Sequence, residues 1–238
     1  MARIIYKEGQ EGQNRLECIE ENEIELFTKV KLDDKYNFIN TEGQLVSNQW
    51  FDSVWDFNEG FAVVGLNDKW NFINAERQLI SNQWFDGVQI FHEGFAIVEL
   101  DGKWNFIDTE GQLLSKQWFD GAWTFYEGFA IVKLNGKYNF INPSGQILSQ
   151  QWFNEAMAFQ PKGFARVKLN DKWNLINAEG QFVSNLWFDW IGDFNEKKGF
   201  AQVKLNEKWN FINANGQLLS KQWFDWAWEF FYGPIEMP

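Results

Sequence analysis

The phrase Ser-x-Gln-Trp-Phe-Asp, or a near copy of it, recurs six times along the chain, and its spacing constrains the fold more than any other feature. It stands as SNQWFD at 47–52 and 81–86, SKQWFD at 115–120, SQQWFN at 149–154, SNLWFD at 184–189 and SKQWFD at 220–225. A second anchor, Lys-aromatic-Asn, begins at Lys35, Lys69, Lys103, Lys137, Lys172 and Lys208, which gives intervals of 34, 34, 34, 35 and 36 residues. Repetition at this period marks architectures in which one unit cannot bury its apolar faces alone and stacking on neighbours buries them. A worn seventh copy is expected upstream, because Ile4, Ile5 and KEGQ at 7–10 align, 34 residues back, with Phe38, Ile39 and TEGQ at 41–44.

Residues 61–74, FAVVGLNDKWNFIN, show what one unit builds. Asn67-Asp68 separates two strand-like runs, and its equivalents are Asp101-Gly102 and Asn135-Gly136. Such pairs accept positive φ and form two-residue type I′ turns, so a β-hairpin is expected. The turn sets Leu66 opposite Lys69, Val64 opposite Asn71 and Ala62 opposite Ile73, and opposed residues share a face. That face is nearly constant among units and reads as core. The other keeps Phe and Trp but varies at Val63, Ile97, Ile131, Arg166 and Gln202, and reads as partly covered, with Lys stems over Trp rings. The Asn in the core face needs partners, and the backbone of the neighbouring unit is the expected one. QLLS after the hairpin reads as a third short strand. No stretch carries a helical period. The expectation is an all-β fold of tandem ~34-residue three-stranded β-repeats stacked in an open twisted array, with a closed propeller-like ring as the alternative. A charged, worn first unit favours the open form, since an open array needs end caps.

These residues resemble the WG (or KWG) repeat proteins of bacteria and their phages, whose units run roughly as GKWGFID…G…F…FDxAxxFxEGLAxV. The resemblance extends from about residue 27 to 231, with Asn37, Asn71, Asn105, Asn139, Asn174 and Asn210 standing where that pattern has Gly. It implies an all-β repeat array with an interaction role, and it carries no catalytic residues to transfer. The domains expected are a degenerate N-terminal capping half-repeat at 1–26, six tandem repeats at 27–233 and a C-terminal tail at 234–238.

Composition narrows the function. There are 33 acidic and 21 basic residues, a formal charge of -12, and an acidic field repels phosphate backbones. Double-stranded nucleic acid is therefore not an expected ligand, and a basic protein is. Cys18 is the only cysteine, so an intrachain disulfide is excluded. Neither a signal-like apolar run nor a ~20-residue membrane span is present, so a cytoplasmic protein without a membrane partner is expected. His92 is the only histidine, which leaves no His cluster for a metal and no His pair for proton relay. No phosphate-loop, dinucleotide or zinc-hydrolase motif occurs. A non-enzyme without cofactors is expected.

A catalytic group would not be copied six times, so Trp-Phe-Asp reads as mortar: the two rings plug into the adjacent unit and Asp accepts backbone amides at a turn. Function is then expected where units disagree, at 53–56, 87–90, 121–124, 155–158, 190–193 and 226–229, and at the residue before Glu-Gly. The candidate binding residues are Trp55, His92, Trp123, Tyr126, Trp190, Trp226 and Trp228, since exposed aromatics serve as interaction hot spots or sugar platforms. The leading expectation is a non-catalytic protein–protein interaction scaffold. The alternatives are a carbohydrate-binding lectin-like protein and a structural or assembly component, with the oligomeric state left open.

Overall fold

Six two-residue turns organise the chain in the computed structural model, which describes residues 26–161, 163–195 and 198–228. The worn N-terminal copy, Cys18 and the C-terminal tail lie outside the described residues. Both central residues of every turn have positive φ, as at Asn67 (51°) and Asp68 (59°). Asn, Asp and Gly tolerate this conformation, and its twist matches that of the strands it joins. The hairpins are Phe27–Leu32 with Lys35–Asn40, Phe61–Leu66 with Lys69–Asn74, Phe95–Leu100 with Lys103–Asp108, Ala130–Leu134 with Lys137–Ile141, Phe164–Leu169 with Lys172–Asn177, and Phe200–Leu205 with Lys208–Asn213. The register is the expected one, with Ala62 opposite Ile73, Val64 opposite Asn71 and Leu66 opposite Lys69.

The third strand is not QLLS. It is the pair of residues just after Trp-Phe-Asp, namely Ser53–Val54, Gly87–Val88, Gly121–Ala122, Glu155–Ala156 and Trp190–Ile191, each laid antiparallel against the first strand of the next hairpin. The QLLS segment makes only single bridges, such as Ile73 with Leu79. The connecting chain therefore belongs to two units at once. Phe85 exchanges backbone hydrogen bonds of 2.8 and 2.9 Å with Trp70 of its own hairpin, and Asp86 N–H then donates to Glu99 O of the next at 2.8 Å.

Stacking buries the apolar faces. Val63 and Phe72 of the second hairpin, Phe85 and Phe91 of the connection, and Ala96, Val98 and Ile107 of the third hairpin form one cluster. The following junction repeats it with Ile97, Phe106, Phe119, Phe125, Ala130, Val132 and Ile141. One face of a unit thus meets the opposite face of the next. The result is an all-β, open array of three-stranded antiparallel repeats, the first hairpin contributing two strands among the described residues. Its core is divided between junctions, and no helix among the described residues is long and apolar enough to cross a membrane.

Trp-Phe-Asp divides its labour more sharply than the sequence suggests. The Phe is fully buried at Phe51, Phe85, Phe119, Phe153 and Phe188, whereas the preceding Trp is only half-buried in each unit. The Phe that opens the loop to Glu-Gly is equally deep: Phe91 stacks on Phe61 at 4.3 Å and meets Phe72 edge-on at 5.1 Å. The core Asn is fully buried and is satisfied within its own unit, not by the neighbour. Asn71 Nδ2 donates to Ser81 O (2.8 Å) and Gln83 O (3.2 Å), and its Oδ1 accepts from Phe72 N–H (2.8 Å). It fixes the segment that leads into Trp-Phe-Asp, which the hairpin's own ladder does not reach.

The lengthening of the last two intervals has a local cause. Glu59-Gly60, Glu93-Gly94 and Glu127-Gly128 form further two-residue turns with positive φ at both positions. Glu59 accepts from the Glu93 and Gly94 amides, and Glu93 from those of Glu127 and Gly128, with distances of 2.9–3.2 Å. The extra residues of the fifth and sixth units lie in the sequence between Gln160 and Phe164 and between Asn195 and Phe200.

Candidate functional site

The Asp after Trp-Phe ties three things together. Asp86 Oδ1 pairs with Lys69 of its own hairpin, while Oδ2 accepts the Asp101 amide in the next unit's turn at 2.8 Å. Asp52, Asp120 and Asp189 repeat the arrangement with Lys35, Lys103 and Lys172 and with the amides of Asn67, Asn135 and Asn206. In each, the lysine hydrogen bond first and the turn amide second hold the carboxyl below its ordinary value. In the fourth unit Asn154 keeps the amide contact, with Asn170 N–H at 3.2 Å, and Lys137 has no carboxylate partner among the described residues. This constellation is structural, as its repetition suggests.

The variable residues build a row along the opposite, partly covered sheet face. Each unit contributes its anchor aromatic (Tyr36, Trp70, Trp104, Tyr138, Trp173 or Trp209) and the residue paired with it across the hairpin (Lys31, Gly65, Glu99, Lys133, Lys168 or Lys204). From the second unit onward the third strand adds Ser53, Gly87, Gly121, Glu155 or Trp190. Lys31, Lys133, Lys168 and Lys204 hold their ammonium groups 5.3–5.5 Å from the centres of the rings they face, which is cation–π range.

Three units mount a second aromatic on the row. Trp55 lies 5.6 Å from Trp70, Trp123 5.8 Å from Tyr138, and Trp190 5.6 Å from Trp209, with ring planes at 55°, 45° and 68°. Trp190 stands on the third strand, two positions before the place corresponding to Trp55 and Trp123, yet it reaches the same partner. The residue at the alternate position is small each time: Ser53 beside Trp55, Gly121 beside Trp123, Gly192 beside Trp190. A methyl at Gly192 would come within 2.8 Å of the Trp190 ring. Trp55, Trp123 and Trp190 remain 41%, 45% and 41% exposed, so they are not extensions of the core.

The other candidates fall elsewhere. Trp226 and Trp228 are 50% and 70% exposed and lie against each other beyond the last described hairpin. His92 and Tyr126 are exposed at the Glu-Gly turns, bridged to Phe95 and Phe129, and no ring contact joins them to the row. The lysine stems expected over aromatic rings are found at Lys133, Lys168 and Lys204, and the sequence signal that places Gly65 and Glu99 in the same row is the variation of that one strand position between units. Arg166 and Gln202 turn inward to bond Ile191 O and Ala227 O. Among the described residues no group of three or more His, Cys, Asp or Glu is placed to hold a metal ion.

The model of the WG containing repeat matches residues 38–70, 72–104, 106–138, 140–173 and 175–209. No curated protein matches the sequence. Among solved structures, Hsv2 of Kluyveromyces lactis is 10% identical over 84% of this chain and 77% of its own, with a TM-score of 0.40. A protein of unknown function from Bacteroides caccae is 16% identical over 80% and 89%, with a TM-score of 0.29. Likeness at that level carries no functional information.

Proposed function

We propose that this chain, which belongs to the WG-containing repeat family, is a non-catalytic scaffold that binds a protein partner along its row of aromatic pairs. One observation supports the reading most. At the same place in three units a Trp is seated against the anchor aromatic, and a Ser or Gly makes room for it, yet the ring still faces solvent. Packing alone would favour burial of so large an apolar group, whereas a fixed, half-exposed Trp is the kind of residue that anchors an interface. The ring planes meet at 45–68°, so the paired rings do not form the single flat platform a sugar face requires. The charge of -12 favours a basic partner and disfavours duplex nucleic acid.

Site-specific photo-crosslinking in the native host tests this. A photoreactive residue replacing Thr124, beside Trp123, is expected to trap a discrete polypeptide, and one replacing Glu110, on an exposed turn, is not. Equal trapping from both positions, or trapping only of further copies of this chain, would remove the reading in favour of non-specific adhesion or of a self-assembling structural component. Binding of oligosaccharides with loss of Trp123 emission would favour the lectin alternative.

A further inference from the structure

Trp104 differs from the other five anchor aromatics. Tyr36 and Trp173 carry an ammonium from their own hairpin, Trp70 carries Trp55, and Tyr138 and Trp209 carry both an ammonium and a Trp. Trp104 has neither. The loop position that supplies Trp55 and Trp123 elsewhere is the exposed Gln89, and the residue across the hairpin is Glu99, not a lysine. The surroundings otherwise match the fourth unit, where Gly121, Lys133 and Tyr138 stand in the places of Gly87, Glu99 and Trp104. Glu99 is half-buried, and among the described residues its carboxylate makes no ion pair or hydrogen bond. It leans across the third strand, so that a methyl at Gly87 would come within 2.8 Å of its Oε2, while Trp104 itself is half-buried against the core of its junction.

We infer that Glu99 and Trp104 form a receptor for a lysine side chain of the protein partner, the ammonium lying over the indole where four of the other five units place their own lysine. Four lysines of this molecule show that the sheet geometry brings an ammonium to an anchor ring. At Trp104 the resident lysine is exchanged for a carboxylate, which turns a self-satisfied position into one of opposite charge to the missing group. A ring face and an acid together attract a cation more than either alone, and the acidic chain as a whole draws basic partners toward it. Lysine is favoured over arginine because it is the cation the repeats themselves use. The inference deepens the scaffold reading by naming one contact, and it depends on that reading only for the existence of a protein partner.

The test titrates a fluorescently labelled oligolysine peptide into the full chain and reads anisotropy at low and moderate salt. Glu99→Lys should close the receptor by supplying the resident lysine, weakening the peptide by roughly fivefold to tenfold with no loss in urea midpoint. Glu110→Lys makes the same change of charge on an exposed turn and should weaken it by about twofold or less. Trp104→Leu, with the acid kept, should also weaken binding. Equal effects of Glu99→Lys and Glu110→Lys would overturn the inference, since only net charge would then matter. So would capture of a protein partner that is lost on replacing Trp55, Trp123 and Trp190 by Ala but unchanged by Glu99→Lys; in that case the scaffold stands and the lysine receptor falls. Oligolysine binding that depends on both Glu99 and Trp104, with no partner trapped in the host, would uphold the receptor and remove the scaffold.

Discussion

The inner seam and the outer row of this array are built from the same two elements, a hairpin and the strand that precedes it, yet they tolerate change very differently. On the seam Val30, Val64, Val98, Val132, Val167 and Val203 never vary, and the Phe of Trp-Phe-Asp is fully buried at every junction between described hairpins. On the row, one position reads Lys31, Gly65, Glu99, Lys133, Lys168 and Lys204, and the third strand beside it reads Ser53, Gly87, Gly121, Glu155 and Trp190. A seam residue must fit two units at once, so each copy constrains the next. A row residue answers only to its cross-strand neighbours and to solvent, which leaves it free to acquire a role. The difference teaches that in a stacked repeat, identity between copies marks packing and disagreement marks the surface available for function.

The largest effect expected is at the seam. Phe119→Ala removes a fully buried ring from the junction of the third and fourth units, and should cost about 3–5 kcal/mol in a urea melt; a cost as small as that of a row substitution would break the comparison. Next comes Asn105→Ala, which strips partners from Ser115 O, Gln117 O and the Phe106 amide. Leaving buried backbone groups unpaired should cost about 2–3 kcal/mol. Trp118→Ala is expected to fall below Phe119→Ala, at about 1–3 kcal/mol, because its ring is only half-buried. A larger loss than Phe119→Ala would show that the Trp, not the Phe, carries the junction.

A smaller, pH-dependent effect comes from the Lys–Asp ties. The carboxyls of Asp52, Asp86, Asp120 and Asp189 lie below their ordinary values in the folded chain. A group depressed on folding stabilises above its unfolded value and loses that contribution as pH falls through the folded one. The urea midpoint should therefore be steady down to the ordinary carboxylate range, near about 4, and fall below it. Asp86→Asn, which copies Asn154, should reduce the steepness of that acid fall, and Asn154→Asp should raise the midpoint slightly at neutral pH by giving Lys137 a partner. An acid fall unchanged by Asp86→Asn would place the acid sensitivity elsewhere. The smallest stability effect is expected on the row, where Trp123→Ala should stay within about 1 kcal/mol.

The hairpins, their type I′ turns and the cross-hairpin register were legible because two-residue turns with Asn, Asp or Gly fix the pairing to the residue. The stacking was legible because no single unit could bury Phe and Val on both faces. The third strand was misplaced because QLLS has the apolar pattern of a strand while Gly87–Val88 and Glu155–Ala156 do not. Their strand state is imposed by the next hairpin, which local sequence cannot express. A repeated polar group in an apolar strand points equally to a contact across the junction or within the unit, and the acceptors of Asn71, Ser81 O and Gln83 O, lie in its own unit. Within the row, the loop tryptophans were visible as residues outside the shared motif. Their seating beside Ser53, Gly121 and Gly192 emerged only from the fold, because Trp190 reaches its anchor ring from a different strand position than Trp55 or Trp123.

The most direct test of the division between seam and row is one variant carrying Trp55→Ala, Trp123→Ala and Trp190→Ala, assayed in parallel by urea melt and by capture of partners from the native host. The triple variant is expected to lose less stability than Phe119→Ala alone and to lose the partner that the parent retains. A triple variant less stable than Phe119→Ala that still captures the same partner would contradict the account, and would make the loop tryptophans part of the packing between units.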